Sequence, residues 1–306
     1  MAELISVGNW TTPEAPFALN RKELIGVPPE RVWEALTSPE QLSQWWCDSA
    51  EVDLRVGGHI QFDGPHVFSK DLLPTGADHE PGKNFEILDV ETHERLEFRW
   101  CLGKAETRVT FSLENHLEQT HLRVSQTADI PLSWPADPEC PNWWWVALPA
   151  LRNLCENNDA GLRLDFAAAE HQDRLEFDVG LYTFPWVIWQ KLTDPEQLNR
   201  WWAREATVEL ESGGRFDLGL ENGGPRTVLE VEEGERFVHD WHWDTDHVSR
   251  VEWRVAENDM DTRVSVVDQG PWPAELPRDR VALLWVTSIL HLKQMSERGI
   301  TPREYQ

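Results

Sequence analysis

What this chain has little of narrows it first. Its 306 residues include only 2 Tyr, 3 Met and 4 Cys. The cysteines, Cys47, Cys101, Cys140 and Cys155, form no CxxC pair and all fall in the first half. That spacing argues against a disulfide framework or a zinc ribbon and fits reduced thiols in a cytoplasmic protein. Positive charge is also scarce, with 28 Lys+Arg against 54 Asp+Glu and a net charge of −26. Acid spread along the whole length repels a phosphate backbone and an anionic bilayer, so neither nucleic acid nor a membrane is expected as a partner. The opening stretch has neither the basic start nor the apolar run of a signal peptide, and no segment reaches the apolar length of a transmembrane helix. GxSxG elbows, phosphate loops and Cys–His nucleophile motifs are missing too.

What is plentiful is Trp, with 18 residues. Each indole is bulky and apolar and carries a single N–H donor, so this many of them fill or line large interior spaces. Their distribution exposes a repeat. WEALTSPEQLSQWW, Trp33 to Trp46, returns as WQKLTDPEQLNRWW, Trp189 to Trp202, with 9 of 14 positions identical at an offset of 156. The register holds from Pro29 and Pro185 through the glycine pairs Gly57-Gly58 and Gly213-Gly214. One module is used twice, and the expected domains are residues 16–157 and 172–302, after an irregular leader over residues 1–15.

Each copy reads in the same order. A first strand, Phe17 to Val27 in copy one, alternates only weakly. Pro29 starts a short helix, Thr37-Ser38-Pro39 breaks it, and Ser38 (Asp194 in copy two) caps a second. A hairpin turning at the glycine pair follows, then four strands, then a long amphipathic helix carrying Trp144, Leu148, Leu151 and Leu154, or Trp285, Ile289, Leu292 and Met295. Copy one carries about 15 additional Gly/Pro-rich residues between Phe62 and Phe85, read as a loop. An antiparallel sheet followed by one covering helix is an α+β arrangement.

The pattern P-x-x-x-V/I-W-x-x-L-T-x-P-E-x-L-x-x-W-W, then a strand, GG and a strand, resembles the AHSA1-like (activator of Hsp90 ATPase homologue 1-like) family of the START/Bet v 1-like SRPBCC superfamily. The resemblance runs over essentially both copies. It implies two helix-grip domains in tandem, each a curved antiparallel sheet around its C-terminal helix, with an elongated cavity between them that usually holds an apolar ligand. The superfamily hosts carriers, receptors, cyclases and co-chaperone domains, so the fold alone does not name an activity.

On that fold the inward faces follow from strand alternation. Phe98, Trp100, Phe111 and Trp144 in copy one, and His239, Trp241, Trp243, Trp253 and Trp285 in copy two, are the candidate ligand-binding walls. Such indoles either pack solid or line a pocket. Trp45, Trp46, Trp201 and Trp202 are expected to anchor the helix pair against the sheet edge. Trp134 and Trp272 recur in the proline-rich loops before the last helices and are candidate lids. Candidate catalytic groups are His239 and Asp268, which stand where copy one has Phe98 and Gln126. A satisfied core histidine and a solvated aspartate near a strand end are the plain alternatives. His239, His242, Asp244, Asp246 and His247 look metal-like, but 239 and 242 point to opposite faces and the spacing fits no zinc pattern, so no metal and no cofactor is expected.

The expected function is binding of a small apolar or aromatic molecule. A cyclase-, dehydratase- or hydrolase-like enzyme working in the second cavity is the first alternative, and a chaperone-linked interaction role the second. Pairing of the two copies within the chain is a further expectation.

Overall fold

Local chemistry sets the helix pair. Pro29 and Pro39 occupy first-turn positions of α1 (Pro29–Thr37) and α2 (Pro39–Trp45), where a missing N–H costs nothing. The break between them is the N-cap Ser38, whose hydroxyl accepts from the Gln41 N–H at 3.4 Å. Copy two substitutes a stronger cap: the Asp194 carboxylate accepts from the Glu196 and Gln197 N–H groups at 2.8 and 3.1 Å.

The structure is a computed structural model that describes residues 18–63, 85–102, 105–129, 139–163, 165–169, 171–220, 225–258, 261–274 and 276–299. The leader over residues 1–15, nearly all of the copy-one insertion and Trp134 lie outside the described residues. The chain divides into two compact units, with the boundary in sequence near residue 168.

In the first unit β1 (Ala18–Ile25) precedes α1 and α2, followed by β2 (Ser49–Val52), β3 (Ile60–Asp63), β4 (Ile87–Glu91), β5 (Arg95–Leu102), β6 (Ala105–His116), β7 (Gln119–Thr127) and α3 (Glu139–Asn157). A single short turn, α4 (Phe166–Ala169), follows. The second unit repeats the order as β8 (Arg174–Leu181), α5 (Pro185–Thr193), α6 (Pro195–Trp201), β9 (Thr207–Val208), β10 (Arg215–Asp217), β11 (Arg226–Glu232), β12 (Arg236–His242), β13 (Val248–Glu257), β14 (Thr262–Gln269) and α7 (Arg278–Arg298). Copy two forms one antiparallel sheet ordered β8-β14-β13-β12-β11-β10-β9. Copy one forms β1-β7-β6-β5-β4, with β2-β3 as a separate hairpin joined through the His59–Glu86 bridge. The expected α+β helix grip is therefore present in both units.

The hairpin turns explain the paired glycines. Gly57 and Gly213 have φ of 75° and 84°, in the left-handed region. A Cβ on Gly58 or Gly214 would lie 2.0 or 2.2 Å from the Asp53 or Glu209 carbonyl oxygen.

The first strand alternates strictly in burial, correcting its weak appearance in sequence. Its inward positions include Arg21 and Glu23, so apolarity failed to mark them. Glu23 pairs with Arg152 of α3, and the Arg21 guanidinium lies 5.0 Å from the Trp145 ring. Copy two places Phe177 and Val179 at the matching positions of β8.

The Trp-Trp pairs divide their work, and neither pair lies simply at the sheet edge. Trp45 and Trp201 brace the helix corner, each donating its indole N–H at 2.9 Å to a carbonyl of the preceding helix, Ala35 and Lys191 respectively. Trp46 and Trp202 instead enter the grip itself. Trp46 stacks on Phe62 at 4.6 Å and meets Trp144, Trp100, Phe98 and Phe111 within 6.2 Å. Trp202 meets Trp253, Trp241, Phe216 and Trp285 between 5.5 and 6.3 Å. These residues are the hubs of the two interiors because an indole at the corner's end reaches both sheet and long helix.

Trp46→Ala should therefore cost roughly 3–5 kcal/mol of stability, whereas Trp45→Phe, which loses one hydrogen bond, should cost about 1 kcal/mol. Denaturant unfolding of the full chain checks this, and equal costs would remove the distinction.

Candidate functional site

The two copies can be superposed strand by strand along one row of paired residues. In copy one the row runs Leu19–Gln126–Val109–Phe98–Ile87. In copy two it runs Leu175–Asp268–Val251–His239–Val228. All ten residues are buried and on the concave face, beneath α3 or α7. Two residues before Ile87 stands Phe85, half-buried in the turn that leads into β4, and two residues before Val228 stands Arg226, the first residue of β11. Three positions that are Phe85, Phe98 and Gln126 in one copy are thus Arg226, His239 and Asp268 in the other.

The copy-one interior is closed by neutral groups. The Gln126 amide donates to Thr107 Oγ1 at 2.9 Å and accepts from Trp144 Nε1 at 2.9 Å, and Thr107 donates to the Trp100 carbonyl at 2.7 Å. Phe85 and Phe98 sit 6.1 Å apart, with Trp100 5.8 Å from Phe85. Phe111 lies 5.8 Å from Trp144.

Copy two keeps the scaffold and changes its chemistry. Trp285 Nε1 donates to Asp268 Oδ2 at 2.8 Å, as Trp144 does to Gln126. The loop residue Trp272, itself buried, donates to the same oxygen at 3.1 Å, and the Arg278 guanidinium lies 4.7 Å from its ring. Asp268 is 1% exposed, which corrects the expectation of a solvated aspartate. Strand alternation turns it beneath α7, where loop and helix cover it. Burial pushes its carboxyl up to about 6, against the opposing pull of Ser249, Trp285, Trp272 and Arg278.

His239 is fully buried between Phe216 at 4.8 Å and Phe237 at 5.6 Å. Its Nδ1 is 2.8 Å from the Asp240 carbonyl oxygen, while its Nε2 has no hydrogen-bond partner. It is therefore only half satisfied. Burial lowers its pKa to about 3; the Asp240 carbonyl opposes that shift and Arg226 adds to it.

Arg226 was missed by sequence reasoning. A cation at a strand start reads as solvent-facing, and only its equivalence to Phe85 signals otherwise. It is 2% exposed, with its guanidinium carbon 3.8 Å from the Trp241 ring centroid. Burial lowers its pKa to about 10, opposed by Asp217 and Asp240.

Of the remaining candidates, Trp241, Trp253 and Trp285 line this interior. Trp243 lies beyond the end of β12, half-buried, donating to Ser249 Oγ at 2.9 Å. The metal-like cluster is not brought together: His239 points inward, while the Asp244 carboxylate instead ties its own turn, accepting from the Asp246 and His247 N–H groups at 2.8 and 2.7 Å. Among the described residues no helix is long and apolar enough to cross a membrane.

Residues 26–156 and 183–297 match the family described as Activator of Hsp90 ATPase homolog 1-like protein. No curated protein matches the chain. Among solved structures, DynU16, from the dynemicin biosynthetic locus, is 17% identical; the alignment covers 92% of this chain and 98% of that one, with a TM-score of 0.37. CalU16 from Micromonospora echinospora is 21% identical over 40% of this chain and 73% of that one, at a TM-score of 0.35. The Aha1 dimer from Colwellia psychrerythraea is 16% identical over 41% of this chain and 97% of that one, at a TM-score of 0.37. The two matched segments span most of the sequence, so the chain belongs to the activator of Hsp90 ATPase homolog 1-like family and carries its domain twice.

Proposed function

We propose that the second copy, within residues 172–302, binds a small, largely apolar aromatic molecule beneath α7, and that the first copy is the closed partner. The observation that carries this reading is the exchange of Phe85, Phe98 and Gln126 for Arg226, His239 and Asp268 on an otherwise shared scaffold. Burying ionisable groups costs several kcal/mol where phenylalanine would add stability. A purely structural core has no use for that exchange, whereas a ligand site needs a few polar groups in an apolar wall. Trp272 serves as the lid, held down by Asp268 and Arg278. That the buried cysteines Cys47 and Cys155 stand outside any disulfide supports a cytoplasmic setting.

A second reading, proton-transfer catalysis of the cyclase or dehydratase kind, is favoured by one feature: a neutral imidazole and a carboxyl titrating near pH 6 share one row of the sheet. Turnover of a carbonyl substrate that is lost in both His239→Phe and Asp268→Asn would select it over simple binding.

Titration of the full chain with N-phenylnaphthylamine should give saturable fluorescence enhancement at one site per chain. Val251→Phe, which overfills the second interior, should abolish it, and Val109→Phe, at the matching position of the first, should leave it intact. No saturable binding, or loss on Val109→Phe alone, would overturn the reading.

The two buried groups also couple to pH with opposite sign. The folded state holds His239 neutral, so its contribution is complete above its ordinary pKa of 6.5 and is lost as pH falls toward about 3. The folded state holds Asp268 protonated, so its contribution is complete below 3.8 and is lost as pH rises through about 6. Each slope is about 1.4 kcal/mol per pH unit, and between pH 4 and 6 they oppose each other. Relative to the unmodified chain, His239→Phe should gain stability as pH falls across that window, and Asp268→Asn as pH rises. Denaturant midpoints at several pH values read the difference, and parallel profiles for all three proteins would contradict the assignment.

A further inference from the structure

The unsatisfied atoms around Trp202 specify what kind of molecule would fit. His239 Nδ1 faces the Asp240 carbonyl oxygen, which can only accept, so Nδ1 carries the ring hydrogen. The ring is neutral, so Nε2 is a bare lone pair buried among Phe216, Phe237 and Trp241. Two donors in the same interior are also unmatched: the indole N–H groups of Trp202 and Trp253, whose rings lie 5.5 Å apart. An unpaired buried polar atom costs about 1–3 kcal/mol. The second copy therefore holds, inside walls made of aromatic rings, a ring-nitrogen acceptor and two indole donors in want of partners, together with Asp268 Oδ1.

The charged groups nearby are already answered. Arg226 lies over Trp241 and is offset by Asp217 and Asp240. Asp268 receives two indole N–H groups on one oxygen, with Ser249 beside it. Among the described residues, Arg226 thus faces Asp217 and Asp240 and Asp268 faces Arg278, so this compensation favours a neutral ligand over an ionic one. Copy one has Phe98 in place of the histidine and cannot make the same demand.

We infer that the second copy recognises a neutral aromatic molecule bearing a hydroxyl, which donates to His239 Nε2, and a carbonyl oxygen, which accepts from the Trp202 or Trp253 indole. This deepens the binding reading and rests on it. His239 is then the residue that sets specificity, because an analogue that cannot donate leaves its lone pair buried and unpaired.

The test uses three matched probes with the full chain in isothermal titration calorimetry: para-hydroxybenzophenone, para-methoxybenzophenone and para-benzylphenol. The first carries donor and acceptor, the second only acceptors, and the third lacks the carbonyl. The hydroxy-ketone should bind about tenfold or more tightly than either of the others. His239→Phe should erase the difference between the hydroxyl and methoxy ketones, while His239→Gln, which restores an acceptor, should keep part of it. Equal affinities of the two ketones for the unmodified chain, or an unchanged preference in His239→Phe, would overturn the inference. So would failure of all three probes where N-phenylnaphthylamine still binds, and in that case the binding reading stands. Failure of N-phenylnaphthylamine as well would remove both.

Discussion

Everything in each unit is arranged around one buried indole, Trp46 or Trp202. The helix corner before the sheet delivers it between sheet and long helix, and burying a side chain of this size contributes roughly 4–6 kcal/mol of apolar transfer free energy. The preceding Trp locks the corner through its N–H to Ala35 or Lys191, so the hub cannot be withdrawn without breaking the helix pair. This explains why the WW pair, the cap between the helices and the glycine turn recur together. Each fixes the direction from which the hub arrives.

On that shared frame the copies spend their tolerance for buried polarity in different places. Copy one puts Arg21, Glu23 and Arg152 along β1 and α3, where Glu23 and Arg152 pair directly. Its concave centre is neutral, with Gln126 bridging Thr107 and Trp144. Copy two keeps β8 apolar at those positions and moves its ionisable groups to the centre, beneath Trp272 and Trp285. Above a pH of about 6 an aspartate there cannot bridge as glutamine does, because an ionised carboxylate only accepts. It collects two indole donors instead, and so ties the loop to the helix.

Much of this was legible in the chain. The duplication, the element order, the caps at Ser38 and Asp194 and the inward stripe through Phe98 or His239 all follow from local periodicity and turn chemistry. Three features were not. Asp268 read as solvated because a strand end beside a proline-rich loop ordinarily faces water. Arg226 was not singled out at all, because nothing local separates a buried cation at a strand start from a surface one. The Trp-Trp pairs read as edge anchors because spacing along a short helix does not reveal how far the second indole reaches.

The sequence by itself determined that one α+β module occurs twice, since a gapless echo and period-two strands are properties of neighbouring residues. It also marked where the copies differ, at Phe98 against His239 and Gln126 against Asp268. Only the tertiary structure decided that Arg226, His239 and Asp268 are all buried in one unit and that Trp272 bonds to Asp268. Strand register joins residues dozens of positions apart, and burial under a distant helix is what gives a neutral imidazole, a carboxyl pushed up to about 6 and a stacked cation.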